Sequence, residues 1–279
     1  MSKALPLRRQ IDEAVALLRD RGVGIPRVGI ILGTGLGVLA ERIEPEVVVP
    51  YCEIPHFPIS TVEGHAGELL FGHLAGVAVV VLKGRVHFYE GYSMQQVAFP
   101  VRVIRGLGAR ELIISSAVGG LNPLFRPGEI VLVTDHINLM GDNPLIGSND
   151  ETLGPRFPDM SEPYCREHLK LTERLAVDEK IPMRKGVFVG VAGPNLETAA
   201  EYRFLRQIGA DVVGMSLIPE NLAAVHGGLR TLAFAIITDS CLPDALEPVD
   251  IQKILRTAAE AEPKLSRLVE RVVEELPEE

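Results

Sequence analysis

Hydrogen-bond donors suited to an anion are concentrated in one short segment of the sequence, GRVHFYEGY, which begins at Gly84. Alternate residues of an extended chain face the same side, so Arg85, His87 and Tyr89 are predicted to point together. The fork of an arginine matches phosphate or carboxylate, and a histidine adds a second donor. The alternative is that these are solvated polar residues of an ordinary loop.

Three other residues are candidates for the same anion site. Thr34 lies in the segment GTGLG, whose backbone N–H groups could form an anion nest. This segment lacks the dinucleotide-binding and Walker A patterns, because position 38 is Val38 and no Gly-Lys-Ser/Thr follows. Ser216 stands between a predicted strand and a predicted helix, and His65 lies in the turn EGHAG. A plain tight turn and a structural histidine are the alternatives.

Two carboxylates form a second group, suited to recognising a heterocycle. Glu197, in GPNLET, stands at the start of a predicted helix, where the alternative role is to stabilise the helix dipole. Asp239 directly follows the apolar run Ile236–Ile237–Thr238. Poor solvation there favours the protonated acid, which makes Asp239 a candidate general acid near neutral pH.

These residues all follow predicted strands. Apolar runs rich in Val and Ile, without polar alternation, predict strands buried on both faces at 28–32, 68–74, 77–83, 111–115, 129–134, 186–191, 212–215 and 231–238. Helical patterns occupy 93–107, 167–178, 199–208, 219–227 and 250–276. The alternation predicts a single α/β domain over residues 1–279, with a mixed, largely parallel sheet flanked by helices. Ligands of such sheets bind beyond the carboxyl ends of the strands.

Composition excludes several classes of function. Lys and Arg total 28 against 37 Asp and Glu, a net charge of −9, so no basic stripe for nucleic acid is expected. The longest apolar runs fall far short of the roughly 20 residues of a membrane helix. Near the N-terminus, Ile11, Ala14, Val15 and Leu18 have helical spacing with acidic residues between them, unlike a secretory signal. The protein is therefore expected to be cytoplasmic.

Cysteine usage and one long loop complete the sequence-level inferences. The 3 cysteines are scattered and lack metal-ligand spacing, which argues against a disulfide framework and a zinc site. The segment 140–163 is rich in Pro, Gly, Asp and Asn, and it is long for a connection within a compact domain. Such loops tend to be functional or to pack on a partner.

Several long motifs resemble those of one family. GTGLG, EIPHFPISTVEGHAG, GRVHFYEGYS, AVGGLNP, DHINLMGDNPL, GPRFPDMS, GPNLETAAEYR and GADVVGMSLIPE resemble the trimeric purine nucleoside phosphorylases, a family that also contains the 5′-methylthioadenosine phosphorylases. The likeness runs from about Val28 to the final helix. It implies a homotrimer that converts a purine nucleoside and phosphate to a free base and a pentose 1-phosphate, without metal or organic cofactor.

The resemblance also implies roles for individual residues. Phosphate would be held by Thr34, Arg85, His87 and Ser216, with His65 and the Ala117 N–H. Tyr89 and Met215 would contact the sugar, and Phe157 would close the sugar pocket of a neighbouring subunit. Glu197 and Asp239 would face the base, with Leu196 covering its ring. The expected catalytic residues are His87, Glu197 and Asp239. Phosphate stabilises an oxocarbenium-like state as it attacks, and a protonated Asp239 would assist departure of the purine near N7.

Three positions depart from the 6-oxopurine-specific pattern. Asp239 replaces an asparagine, and an ionised aspartate accepts from a 6-amino group where asparagine donates to a 6-oxo group. Ile251 aligns with a histidine that contacts the 5′-hydroxyl, and an apolar side chain suits a 5′-deoxy or 5′-methylthio group. Leu196 replaces an aromatic residue. Against these, Glu197 is the residue that 6-oxopurine enzymes use for N1–H.

The sequence therefore predicts a purine nucleoside phosphorylase that accepts 6-aminopurine nucleosides, adenosine and 5′-methylthioadenosine among them. One alternative is a conventional inosine and guanosine phosphorylase, and another is a 5′-methylthioadenosine phosphorylase. A nucleoside-binding trimer without catalysis is the alternative of a different class. It has no need of the phosphate residues, and their presence together argues against it.

Overall fold

The apolar runs form a nine-stranded mixed sheet in the computed structural model, which describes residues 5–33, 37–60 and 67–277. The strands are β1 (Val28–Leu32), β2 (Glu44–Pro50), β3 (Glu68–Leu74), β4 (Val77–Lys83), β5 (Glu111–Gly120), β6 (Ile130–Leu139), β7 (Met183–Val191), β8 (Val212–Gly214) and β9 (Arg230–Ser240). Sequence analysis missed β2, an edge strand that is mostly exposed and ends in proline.

Part of this sheet closes on itself through β5. An open part has the order β2-β3-β4-β1-β5, and β5 then pairs with β9 along its length. Strands β9, β6, β7 and β8 follow in turn, and β8 returns to Gly119 and Gly120 at the end of β5. The described pairings are parallel for β1–β4, β1–β5, β5–β9, β6–β7 and β7–β8 and antiparallel for the rest, so the expected mixed sheet is confirmed.

Helices cover both faces of the sheet. They are α1 (Leu7–Asp20), α2 (Gly37–Glu41), α3 (Met94–Gly106), α4 (Arg166–Asp178), α5 (Ala199–Gln207), α6 (Ile218–His226) and α7 (Ile251–Glu275). Residues of α1, α3 and α6 share one buried cluster with alternate strand positions such as Ile31, while α2, α4 and α7 share another with positions such as Ile30. All five residues of β1 are buried, as expected for a strand covered on both faces.

Helix α5 packs separately, over the closed part of the sheet. Tyr202 and Leu205 of α5 form a small buried cluster with Val189, Val213 and Cys241. This cluster places α5 beside β7, β8 and the end of β9. Among the described residues, no helix is both long enough and apolar enough to cross a membrane.

Candidate active site

A cleft opens where β5, β8 and β9 end, at the edge where the sequence predicted a ligand. Its walls come from the segment after β4, from β5, from the β7–α5 and β8–α6 connections and from β9. The lining residues are Arg85, His87, Tyr89, Ser116, Ala117, Val118, Gly119, Leu196, Glu197, Tyr202, Val213, Gly214, Met215, Ser216, Thr238, Asp239, Cys241 and Ile254. Of the predicted donors, Arg85, His87 and Ser216 therefore share one cleft with both predicted carboxylates.

Arg85 is held at one end of the cleft by a buried ion pair. Its Nε lies 3.1 Å from Oε1 of Glu220, and each side chain is only 4% exposed. Glu220 belongs to the first turn of α6. The carboxylate lies beside the guanidinium, and burial strengthens any charge that Arg85 presents to a ligand.

His87 is oriented by a carboxylate three residues along the chain. Oε1 of Glu90 accepts from the His87 backbone N–H at 2.7 Å and lies 2.9 Å from Nδ1. A carboxylate only accepts, so Nδ1 carries a proton, and Nε2 becomes a donor when the ring is protonated. The ring stacks on Tyr89 with centroids 4.7 Å apart. Burial raises the pKa of Tyr89, which keeps its hydroxyl protonated.

Ser216 is positioned by an uncommon turn between β8 and α6. Leu217 has φ 69° and ψ −49°, and the Ile218 N–H donates to the Ser216 carbonyl at 2.7 Å, which defines a γ-turn. Such a conformation costs about 1–3 kcal/mol and persists where packing enforces it; Leu217 is fully buried. The Ser216 hydroxyl lies 2.8 Å from that of Ser116 in β5, beside the N-terminus of α6, which favours an anion.

Glu197 faces the cleft and does not cap the helix that follows it. The N-cap of α5 is Thr198, which accepts from the Glu201 N–H, while Glu201 accepts from the Thr198 N–H at 2.7 Å. Stabilisation of the N-terminus of α5, the alternative role for Glu197, is therefore supplied by Thr198 and Glu201. Burial raises the pKa of Glu197, and the charges of Glu201 and Asp239 add to the effect.

Asp239 is contacted by donors on both of its carboxylate oxygens. Thr238 Oγ1 lies 2.8 Å from Oδ1, and Cys241 Sγ lies 3.2 Å from Oδ2. Burial raises the pKa of Cys241 and of Tyr202, which keeps both groups protonated and neutral. The Tyr202 hydroxyl interacts with Glu197 and with Cys241. The end of the cleft formed by Glu197 and Asp239 therefore has neutral donors beside two acidic groups.

The remaining predicted site residues are distributed unevenly. Ala117, Met215 and the half-exposed Leu196 line the cleft. Phe157 is 86% exposed and is not among the residues that line the cleft; the Arg156 guanidinium lies over its ring.

Ile251, predicted to lie near the 5′ end of the sugar, is exposed and is not among the residues that line the cleft, whereas Ile254 is. The first turn of α7 is exposed, and the side chain one turn further along reaches the site. Thr34 and His65 lie outside the described residues.

Several site residues were missed by sequence reasoning. Glu90 and Glu220 orient the predicted donors, and Tyr202 and Cys241 contact the predicted carboxylates. The position of Glu90 three residues after His87 was a usable signal, because it favours a local capping contact. The contacts of Glu220, Tyr202 and Cys241 depend on packing between distant segments. Across 5–33, 37–60 and 67–277, no group of three His, Cys, Asp or Glu side chains could hold a metal ion.

Comparison with known proteins agrees with this geometry. The family model of the phosphorylase superfamily matches residues 27–274. Purine nucleoside phosphorylase 1 of Bacillus subtilis (strain 168) is 45% identical over 267 residues, covering 96% of this chain and 98% of its own. The purine nucleoside phosphorylase of Mus musculus is 45% identical over 259 residues, covering 90% of each chain.

Solved structures show the same fold. The purine nucleoside phosphorylase of Schistosoma mansoni, in complex with adenosine, superimposes with a TM-score of 0.92 at 37% identity, covering 97% of this chain and 98% of that one. Its complex with inosine gives the same TM-score at 38% identity. The chain belongs to the phosphorylase superfamily and, within it, to the purine nucleoside phosphorylases. It is accordingly a pentosyltransferase that acts on purine nucleosides.

Proposed function

We propose that the cleft binds inorganic phosphate at the end formed by Arg85, His87 and Ser216. The observation that carries this proposal is the buried Arg85–Glu220 pair, because a buried and poorly solvated guanidinium is suited to a phosphate. The protonated His87 ring adds a donor at Nε2, and the N-terminus of α6 adds a favourable dipole. The Ala117 N–H and the residues Thr34 and His65 join this set by resemblance.

Phosphate in this position serves as nucleophile and as counter-charge. The N-glycosidic bond breaks toward an oxocarbenium-like state, and the phosphate dianion stabilises that positive charge before it bonds to the anomeric carbon. Tyr89 and Met215 also line the cleft, and in this proposal they contact the sugar. The purine leaves with negative charge; where the base is a 6-oxopurine, a protonated Asp239 neutralises that charge by donating its proton to N7. These residues and phosphate supply the whole reaction, so we propose that it uses neither a metal nor an organic cofactor.

We propose further that the substrates include 6-aminopurine nucleosides. Asp239 in its ionised form accepts from an exocyclic amino group, and the neutral donors Thr238 and Cys241 stabilise that form. Ile254, in place of Ile251, presents an apolar surface suited to the 5′ end of the sugar, including a 5′-methylthio group. The related Schistosoma mansoni protein, solved with adenosine and with inosine, makes a site that accepts both classes a reasonable model.

The proposed assembly is a homotrimer in which Phe157 closes the sugar pocket of a neighbouring subunit. A phenyl ring that is 86% exposed and outside the lining of its own cleft supports this arrangement. Analytical ultracentrifugation tests the trimer. In a trimer, Phe157→Ala is expected to raise KM for nucleoside without changing the sedimentation of the assembly.

The first experiment measures turnover of inosine, guanosine, adenosine and 5′-methylthioadenosine, each with and without phosphate. We expect phosphate-dependent release of base from adenosine as well as inosine. Release from inosine and guanosine alone would establish the conventional alternative. Exclusive use of 5′-methylthioadenosine would establish the alternative of a 5′-methylthioadenosine phosphorylase. Nucleoside binding that is independent of phosphate, without turnover, would contradict the proposal and favour a non-catalytic binder.

A further inference from the structure

The 140–163 loop is attached to the helices beside it through one buried histidine. His226 is the last residue of α6 and is only 4% exposed. Its Nδ1 lies 3.2 Å from Nη1 of Arg102 in α3, and its Nε2 lies 3.2 Å from Oδ1 of Asn149 in the loop. Arg102, His226 and Asn149 therefore form a loop anchor that connects α3, α6 and the loop.

The neighbours of His226 determine where its proton lies. A guanidinium only donates, so Nδ1 accepts from Arg102. Nδ2 of Asn149 lies 3.0 Å from the Gly154 carbonyl oxygen and 2.8 Å from Oε1 of Glu151, and both of these oxygens accept. The amide oxygen of Asn149 therefore faces the histidine and accepts from Nε2. The contacts on the two sides of the ring agree on a neutral imidazole with its hydrogen on Nε2.

The contacts of the loop anchor continue along the loop toward Phe157. Asn149 donates to the carbonyl of Gly154, where an added Cβ atom would lie 1.9 Å from the His226 carbonyl oxygen, so the loop backbone packs directly on α6. Nη1 of Arg156 donates to another carbonyl of the loop at 2.7 Å, and the same guanidinium lies over the Phe157 ring. The placement of Phe157 thus depends on the segment that His226 holds.

We propose that Arg102, His226 and Asn149 are positioning residues that hold Phe157 where it closes the sugar pocket of a neighbouring subunit. This inference rests on the proposed function, because it requires the homotrimer. None of the three residues is among the described residues that line the cleft, so loss of the loop anchor is expected to leave the chemical step unchanged. Nucleoside binding weakens, since a detached loop spends less time in the closed position.

The loop anchor is sensitive to pH, because it needs a neutral His226. A hydrogen on Nδ1 would oppose the Arg102 N–H groups, with two cations 3.2 Å apart. Burial lowers the pKa of His226, the Arg102 charge lowers it further, and the Glu151 charge opposes them. Arg105, also in α3, donates from Nε to the Gly227 carbonyl at 2.8 Å. The loop anchor is therefore fully stabilising above the ordinary histidine pKa of 6.5 and is lost as the pH falls through the lowered value.

The first test is a double-mutant cycle between the loop anchor and the phenyl ring. Asn149→Ala is expected to raise KM for nucleoside about fivefold with kcat unchanged, as for the loss of one hydrogen bond. In a Phe157→Ala background the same change is expected to have no further effect. Additive effects, or an unchanged KM for Asn149→Ala alone, would overturn the inference. An unchanged KM for Phe157→Ala would instead overturn the proposed closure of the sugar pocket, which tells the two failures apart.

The second test uses the titration of His226. A glutamine can accept from Arg102 and donate to Asn149 without titrating, so His226→Gln is expected to retain the unmodified KM at about pH 8. As the pH falls below 6.5, KM of the unmodified enzyme should rise to about fivefold that of His226→Gln, while His87 and phosphate titrate in both proteins and cancel. His73→Gln, in β3, is the matched control and keeps the unmodified pH profile. A constant ratio would overturn the role of His226.

Amide hydrogen exchange over residues 147–156 reads the loop anchor without reference to the assembly. Exchange is expected to be about tenfold faster in Asn149→Ala than in the unmodified enzyme, and unchanged in His226→Gln, when all three are compared at about pH 8. Equal rates in Asn149→Ala and the unmodified enzyme would show that other contacts hold the loop and would overturn the inference.

Discussion

The two ends of the cleft are built in different ways. At the end proposed to bind phosphate, here the phosphate end, Arg85 is paired with Glu220, His87 with Glu90, and Ser216 is placed by the strained turn at Leu217. At the end proposed to bind the base, here the base end, the donors that contact Asp239 are the neutral Thr238 and Cys241, and Leu196 is 46% exposed. Fixed charges suit a co-substrate that is the same in every turnover, whereas neutral donors leave room for bases of different hydrogen-bonding pattern.

The comparison is tested most severely by removing the guanidinium of the phosphate end. Arg85→Ala is expected to lower kcat/KM for phosphate about 10³-fold, because a preorganised charged donor is lost from a buried site. The loss should be equal for adenosine and inosine. Steady-state kinetics with phosphate as the varied substrate measures it, with Arg85→Lys as the control that keeps the charge without the fork. A loss confined to one nucleoside would mean that the two ends do not act separately.

At the base end, Asp239→Asn is expected to change selectivity with little effect on phosphate. Asparagine donates to O6 of a 6-oxopurine, so the adenosine-to-inosine ratio should fall by about 30- to 100-fold, equivalent to about 2–3 kcal/mol. Competition between the two nucleosides in one reaction gives the ratio directly. An unchanged ratio would disprove the assignment of base recognition to Asp239.

Glu220→Gln sharpens the comparison, because Glu220 lies outside the lining of the cleft. The amide keeps the shape of the carboxylate but leaves Arg85 without this counter-charge, at a cost of about 2 kcal/mol in unfolding free energy. We expect a Tm lower by about 5 °C and roughly tenfold weaker phosphate use, with the nucleoside ratio unaltered. Thermal unfolding and kinetics of the same preparation separate the two effects. Phosphate kinetics like those of the unmodified enzyme would refute a positioning role for Glu220.

The smallest expected effect is at the rim. Leu196→Phe adds an aromatic face over the base, and a well-placed ring pair contributes about 1 kcal/mol. KM for all purine nucleosides should therefore fall about threefold to fivefold, while kcat/KM for phosphate stays constant. Leu196→Met serves as a control of similar volume without a ring. No change in KM would place Leu196 away from the bound base.

Sequence patterns predicted more of the strands and helices than of the side-chain contacts within the cleft. The bounds of β1, β3 and β4 agree with the apolar runs, because these strands are buried on both faces. Strands β5 and β6 extend well beyond the predicted ends. The small residues after Ser115 pair with β9, and the mostly polar residues after Thr134 pair with β7. Pairing partners of that kind are distant in sequence and leave no local pattern.

The same reasoning applies to the site. The rule that ligands lie beyond strand ends was enough to bring Arg85, Ser216 and Asp239 to one cleft. It could not supply Tyr202 or Cys241, because a buried tyrosine on an amphipathic helix is indistinguishable from ordinary core. The prediction for Ile251 came from the resemblance, and the helical pattern alone does not indicate which side chain of the first turns of α7 lines the cleft, as Ile254 does.

The closure of the sheet at β8 has a consequence for motion. This strand has three residues and joins β5 only at Gly119 and Gly120, where a side chain on Gly119 would strike the Cys241 sulfur. Ser216 follows β8, on one side of this β5–β8 pairing, and Asp239 belongs to β9, which pairs with β5 on the other side. A nucleoside and phosphate bound together would contact residues on both sides of the β5–β8 pairing and would restrain their relative movement. Amide hydrogen exchange in β8 should therefore slow when both are bound, and far less with either alone.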